Sequence, residues 1–298
     1  MTTELSSDTL ARAEWIAGSI KFLSGDMARA LRTGCFFLAV PADLDLRPAV
    51  RFARSFFEEG GGEWVATDAY SGYRNRPDVY FDREGFQTEH VLIDQDRRAE
   101  YFDPTLNTLC DRLSEMTESI LRAGLVELNV AKSSWDLLTQ GAAFGRGTRW
   151  LAFNHYRPEK PVLGCTPHKD TGFVTVLYAP TPGLEGWNGT DWVPIDAPAD
   201  HLIVNFGGSF EAMTAAIDTR VAAMLHRVRE TRTDDNSEDR ISVAAFANPP
   251  AIGEMYGLQD DGSVVHLESI EAFLRRFNDE AWGDEYTDFG IKVGGTHA

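Results

Sequence analysis

The period of the apolar positions changes along this chain. In residues 105–124, Leu106, Leu109, Cys110, Leu113, Met116, Ile120 and Leu121 follow an i, i+3, i+4, i+7 rule, and Gly124 stands at the end. That spacing predicts one long helix whose apolar stripe needs a sheet to pack on. Upstream, "SGDMARALRTG" predicts a shorter helix, with Ser24 or Asp26 as N-cap and Gly34 as its stop. "CFFLAV" (35–40) reads as a short buried strand, and "DLRPAVRFARSFFEEGGG" as a helix ended by Gly60, Gly61 and Gly62. Residues 66–104 mix aromatic and charged side chains without a clear period, which predicts loop and short strand at a pocket rim.

From 148 to 248 the pattern becomes short apolar runs separated by turns: "TRWLAFNHYR", "GCTPHKD", "FVTVLYAP", "GLEGWNGTDWVPI", "HLIVNFGG", "RVAAMLHRV" and "ISVAAFA". Asn188-Gly189 between two tryptophans reads as a tight hairpin turn. So many closely spaced strands predict a barrel or sandwich. A last amphipathic helix is expected over 269–282, with Ile270, Phe273, Leu274 and Phe277 on one face. No repeat and no Pro/Gly/Ser linker divides the chain. The expectation is therefore a single domain over 1–298: a helical and mixed part (1–125), a β core (148–250) and a C-terminal helix.

Composition narrows the function. The net charge of −18 opposes both a nucleic-acid partner, which needs a basic surface, and an anionic membrane. Cys35, Cys110 and Cys165 fit neither a zinc ribbon nor a disulfide framework and read as reduced thiols. The first residues, "MTTELSSDTLARAE", carry no basic n-region or apolar h-region, and no apolar run approaches the roughly 20 residues of a membrane span. The expected compartment is the cytoplasm and the expected partner a small molecule. The oligomeric state is not legible.

The candidate chemistry starts at "TPHKDTGF" (166–173). His168 and Asp170, two apart on a predicted strand, share a face, and Lys169 is turned away. Alone, an H-x-D is a chance event in a chain with 46 acidic residues. His226 in "AAMLHRVRE" changes that, because two histidines and one carboxylate make the facial triad of non-haem iron(II), with positions left open. Arg227 faces away from His226 and predicts a structural ion pair. Arg240 and Ser242 form a second i, i+2 pair, whose planar fork and hydroxyl suit a carboxylate. Asn154 and Tyr156 form a third, with Trp150 on the same face and Phe246 continuing the face of Arg240. Polar groups pointing into an apolar core need partners, and a metal with a dicarboxylate would satisfy all three pairs. Tyr73, Arg74 and Phe246 are candidate substrate contacts, with Arg76 and Tyr80 weighed beside them against a solvated loop. His90, His155, His201, His266 and His297 show no partner pattern.

In order, "LRTGCFFLAV", "RSFFEE", "NHYRPEKPVLGCTPHKDTGFVTVL", "GLEGWNGTDWVPI", "LIVNFGGSFEAMT", "LHRV" and "RISVAAFANPP" resemble the blocks of the 2-oxoglutarate-dependent iron(II) dioxygenases of the isopenicillin N synthase-like superfamily. The resemblance covers most of the chain. It implies a mainly β fold with flanking helices and a double-stranded β-helix (jelly-roll) core. It also implies Fe(II) held by His168, Asp170 and His226, with 2-oxoglutarate anchored by Arg240 and Ser242 and contacted by Asn154 and Tyr156. With O2, such an enzyme oxidises a C–H bond of a small molecule by hydroxylation, desaturation or cyclisation; an amino acid derivative or natural-product intermediate is the expected class. An oxidase of the same fold that does not use 2-oxoglutarate, and a non-catalytic jelly-roll binding protein, are the alternatives. Gly208 stands where the family usually has Asp, which is expected to alter a turn. Residues 61–104 match weakly, so the substrate is not legible.

Overall fold

The computed structural model describes residues 5–60, 70–232 and 238–282. Gly61, Gly62, His297 and part of "ETRTDDNSED" lie outside the described residues. The strands are β1 (Arg12–Ile16), β2 (Ser19–Ser24), β3 (Cys35–Ala39), β4 (Tyr80–Asp82), β5 (Thr88–Ile93), β6 (Thr148–Tyr156), β7 (Cys165–His168), β8 (Val174–Tyr178), β9 (Leu184–Trp187), β10 (Trp192–Pro194), β11 (His201–Phe206), β12 (His226–Val228), β13 (Ile241–Asn248), β14 (Glu254–Leu258) and β15 (Val264–Ser269). The helices are α1 (Met27–Thr33), α2 (Arg47–Ser55), α3 (Arg98–Tyr101), α4 (Pro104–Glu127), α5 (Trp135–Thr139), α6 (Gly208–Met213) and α7 (Ile270–Trp282).

The helix signals hold, with shifted ends. Asp26 caps α1 by accepting from the Arg29 backbone N–H, and Gly34 closes it in the left-handed region at φ +83°. Asp103 caps α4 by accepting from the backbone N–H groups of Thr105 and Leu106, and Pro104 takes the first position. Gly124 does not stop this helix, which runs on to Glu127. A Cβ there would sit 2.9 Å from the Phe210 ring, so the glycine admits a close neighbour instead. Helix α2 ends at Ser55, before the expected glycines. The chain then turns back, and Phe52 packs against Phe56, Tyr70, Tyr73, Phe102 and Phe153 with ring centroids 4.5–6.0 Å apart. Aromatic burial of this kind outweighs helical propensity over one or two turns.

Two sheets carry the β core. The larger has the order β2-β1-β3-β11-β8-β13-β6-β5-β4, and the smaller β10-β9-β12-β7. From β6 to β13 the chain crosses repeatedly between them, which gives the double-stranded β-helix. The outer face of the larger sheet is covered by α2 and α4, which bury Phe153, Val176, Val243 and Ala245. Its inner face meets the smaller sheet. A sheet covered on both faces explains why "ISVAAFA" is a continuous apolar run in which the functional positions are the polar exceptions. β5, in the weakly patterned stretch, is a full member of this sheet beside β6. Of "RVAAMLHRV", only the last three residues are strand. The tryptophan hairpin forms as β9–β10, with Trp187 opposite Trp192. Its loop has four residues, and the Asn188 side chain accepts from the N–H groups of Thr190 and Asp191. No helix among the described residues is long and apolar enough to cross a membrane.

Candidate active site

Strands β7 and β12 lie antiparallel and place His226 directly opposite His168, with ring centroids 4.3 Å apart. Each ring is locked by its own chain. His168 Nδ1 donates to the Thr166 carbonyl at 2.8 Å, and His226 Nδ1 to the Met224 carbonyl at 2.9 Å. A carbonyl can only accept, so the proton sits on Nδ1 and the lone pair on Nε2 in both rings. Asp170 Oδ1 lies 4.0 Å from His168 Nε2 and 3.8 Å from His226 Nε2. One ligand atom from each of the three residues falls within 4.8 Å of the others, a grouping that could hold one metal ion once the side chains close on it. Burial drives the His226 pKa down to about 4; His168 adds to this and Asp170 opposes it. The ring is therefore neutral, as a ligand must be, at ordinary pH.

The expected single strand through His168 and Asp170 is not what forms. β7 stops at His168, and Asp170 lies in the turn that follows. It is held there by Thr175 on β8, whose hydroxyl donates to Oδ2 at 2.7 Å, and by the Gly208 N–H, which donates to its carbonyl at 2.7 Å. A Cβ on Gly207 would collide with the backbone carbonyls of Gly172 and Asp170, so this approach requires glycine. Gly208 leaves room in the same way for the Phe277 ring of α7. Strand parity also fails for Lys169, which borders the cavity and donates to Glu211 at 2.6 Å. It holds for Arg227, which turns away to Glu185 at 2.7 Å and stacks over Trp192.

The same cavity, about 170 Å³, holds the second cluster. Ser242 faces Asn154 across the β13–β6 ladder and accepts from its amide at 3.1 Å; Tyr156 Oη is 3.3 Å from the same hydroxyl. Arg240 is 3% exposed, its Nε donates to the Pro182 carbonyl at 3.1 Å, and its guanidinium lies 4.3 Å above the Tyr156 ring. Its Nη1 and Nη2 are buried and find no hydrogen-bond partner among the described residues. A buried guanidinium edge without an acceptor is costly, and its fork matches one carboxylate. The donor set fits a metal ion together with a diacid, whose far carboxylate Arg240 and Ser242 would hold.

Phe246 lines the cavity, as expected. Tyr73 and Arg74 are not brought to it. Tyr73 is buried in the aromatic cluster around Phe52 and donates to the Tyr101 carbonyl. Arg74 grips Glu89 with two hydrogen bonds, 2.8 and 2.6 Å, on the other side of β5, and Tyr80 donates to the same carboxylate. Arg76 stacks on the Tyr101 ring. Sequence reasoning passed over Thr88, His90 and Leu92, which line the cavity from β5, and Thr175 and Asn205, which line it from β8 and β11. The i, i+2 rule that singled out Asn154 and Tyr156 would have found the β5 row, had that stretch been recognised as a strand. Burial, reinforced by Arg83, holds the His90 pKa well below its usual value, so this ring is neutral. His155, also without an expected partner, lies buried on the opposite face between Glu89 (2.8 Å) and Asp239 (2.9 Å).

Residues 148–249 match the family model of the 2OG-Fe(II) oxygenase superfamily. A relative, oxoglutarate-dependent flavonoid 7-O-demethylase 1 of Ocimum basilicum, is 29% identical over 159 residues, which are 49% of this chain and 41% of the relative. Gibberellin 2-beta-dioxygenase 8 of Arabidopsis thaliana is 26% identical over 198 residues, 64% of this chain and 53% of the relative. The chain thus spans about half the length, or less, of these relatives. Among solved structures, the rice dioxygenase for auxin oxidation superposes with a TM-score of 0.64 at 19% identity, covering 93% of this chain and 98% of that one. A full-length Neurospora crassa protein in complex with alpha-KG gives 0.62 at 16% identity, covering 94% and 99%. At such identities these structures establish the fold alone.

Proposed function

We propose that this chain, a member of the 2OG-Fe(II) oxygenase superfamily matched through residues 148–249, is an iron(II)- and 2-oxoglutarate-dependent oxygenase acting on a C–H bond of a small organic molecule. One observation carries the reading. A buried guanidinium edge without an acceptor shares one small cavity with two histidines and a carboxylate whose ligand atoms converge. A closed structural metal site would need a fourth protein ligand, and the described residues offer three.

In this reading His168, Asp170 and His226 hold the metal through Nε2, a carboxylate oxygen and Nε2. The chemistry supplied by bound iron with its co-substrate is coupled oxidation, in which R–H, O2 and 2-oxoglutarate become R–OH, succinate and CO2. The protein's own part is geometric. The Thr166 and Met224 carbonyls fix both imidazole tautomers, and Thr175 orients the carboxylate. Arg240 and Ser242 take the distal carboxylate of 2-oxoglutarate, with Tyr156 and Asn154 orienting the serine hydroxyl. The apolar walls formed by Leu177, Leu184, Ala244 and Phe246 keep bulk water from the reacting groups. Hydroxylation is the default outcome, with desaturation or cyclisation as variants. The expected substrate is a natural-product intermediate or amino acid derivative, in keeping with the flavonoid and gibberellin named for the relatives.

The test is succinate formation from 2-oxoglutarate by the purified protein with Fe(II) and O2, set against product formation on candidate metabolites. Succinate should appear one-for-one with product, and His226→Ala should abolish both while leaving the fold unchanged by circular dichroism. Product without succinate would favour the oxidase, with Arg240 holding a substrate carboxylate. Full activity in His226→Ala would sink the ligand assignment.

A further inference from the structure

A second chamber adjoins the first. It has a volume of about 100 Å³ and is walled by Leu92, Trp150, Thr171, Phe246 and Leu274, with Ala251 at its side. Leu92, Thr171 and Phe246 line both spaces and so stand at the boundary between them. The strand register orders the two chambers along one axis. At one end Thr88 pairs with Tyr156, and the Tyr156 N–H donates to the Arg240 carbonyl. At the other, Leu92 lies opposite Ala152, and Phe246 opposite Trp150. Tyr156 and Trp150 are six residues apart on β6, roughly 20 Å at the rise of a strand. Arg83 belongs to the first end, since its N–H donates to the Thr88 carbonyl.

The two ends differ in chemistry. Among the described residues, the lining of the second chamber includes no charged side chain. Its polar members are Thr148, Thr171 and Asn248, and the Asn248 amide already donates to the Thr148 carbonyl at 3.3 Å. A charged group placed here would meet an apolar wall without gaining a counter-charge. The volume sets a second limit: at about 100 Å³ the space is smaller than the apolar cavity of about 150 Å³ that holds one benzene ring, so it takes a group no larger than one ring.

From these features we propose that the substrate enters the second chamber as an uncharged group no larger than one ring. It packs on the wall that Trp150 and Phe246 form side by side near Leu274 of α7, and its reacting carbon points past Phe246 toward His168 and His226. This deepens the oxygenase reading and rests on it. It selects a natural-product intermediate, or an amino acid derivative that presents an uncharged group to this chamber.

A matched probe series tests it: 4-methylbenzamide, 4-methylbenzoate, 4-methylbenzylamine and the two-ring 6-methyl-2-naphthamide. Binding to the full-length protein loaded with Fe(II) and 2-oxoglutarate is read anaerobically by tryptophan fluorescence and by calorimetry, and succinate formation is read in air. The neutral one-ring amide should bind at least tenfold more tightly than the carboxylate, the ammonium and the two-ring amide. Ala251→Phe, which puts a ring into the chamber, should weaken amide binding at least tenfold, and Leu92→Ala should admit the naphthamide. Equal or tighter binding of either charged probe, no binding of the benzamide, or unchanged binding in Ala251→Phe overturns the proposal. Selective binding of the benzamide with no succinate formed under any condition would leave the chamber assignment standing and overturn the oxygenase reading instead.

Discussion

Thr175 shows what a single residue contributes to this site. It ligates nothing, yet its hydroxyl holds Asp170 Oδ2 at 2.7 Å and so leaves Oδ1 turned to the two Nε2 atoms. Replacing it with valine keeps the volume and the strand propensity and removes only that hydrogen bond. Thr175→Val is expected to weaken Fe(II) binding roughly ten- to a hundredfold, the usual cost of losing a partner that orients a metal ligand. Metal titration by calorimetry checks this; unchanged affinity would mean that Asp170 is positioned by its backbone alone. The sequence could not announce Thr175, because a threonine in "FVTVLY" is also an ordinary strand residue. His168 was legible through Asp170 two residues on, and His226 because it breaks an apolar run. The register that sets them opposite one another spans 58 residues and was not.

Strand β5 is the element on which sequence and structure diverge most. It carries two rows: Thr88, His90 and Leu92 face the cavity, while Glu89 faces away into a buried cluster with Arg74, Tyr80 and His155. Each row mixes polar with apolar residues, so no clean period emerges, and the stretch reads only as loop and short strand although it pairs along β6 over six residues. The same cluster explains why Tyr73 and Arg74 are structural. Burial pushes the Glu89 carboxyl up, but hydrogen bonds from His155, Arg74 and Tyr80 outweigh it and bring the pKa down to about 2. A carboxylate depressed below its ordinary value of 4.5 stabilises the fold fully above that pH, and its contribution is lost as pH falls toward 2. Glu89→Gln is expected to cost roughly 2 kcal/mol at pH 7, the scale of losing hydrogen bonds to a buried charged acceptor, since the half-exposed Arg74 can turn to solvent. It should also flatten the loss of stability between pH 4.5 and 2. Urea unfolding across that range is the check, and an unchanged pH profile would show that Glu89 is not the acid-sensitive tie. Where one face of an element is cleanly apolar, as in α4 and β13, the pattern found it; where both faces carry polar work, as in β5, it did not.

At the scale of the whole molecule, the crossing of the chain between two sheets brings β7 and β12 against the inner face of β13 and β6. No local pattern encodes that convergence. The order of the sequence blocks carried it through resemblance, and the pairing of His168 with His226 and of Asn154 with Ser242 gives it physical form. The central claim is that the converging imidazoles and carboxylate hold Fe(II) while Arg240 takes the far end of 2-oxoglutarate. Anaerobic titration with Fe(II) and 2-oxoglutarate, followed by visible absorption, tests it most directly. The account predicts a weak charge-transfer band that needs both components and is absent in His226→Ala. In Arg240→Ala it should demand roughly a hundredfold more 2-oxoglutarate, the equivalent of about 3 kcal/mol for a charge-assisted carboxylate pair. No band in the wild-type protein, or a band in Arg240→Ala with the same dependence on 2-oxoglutarate, would contradict it.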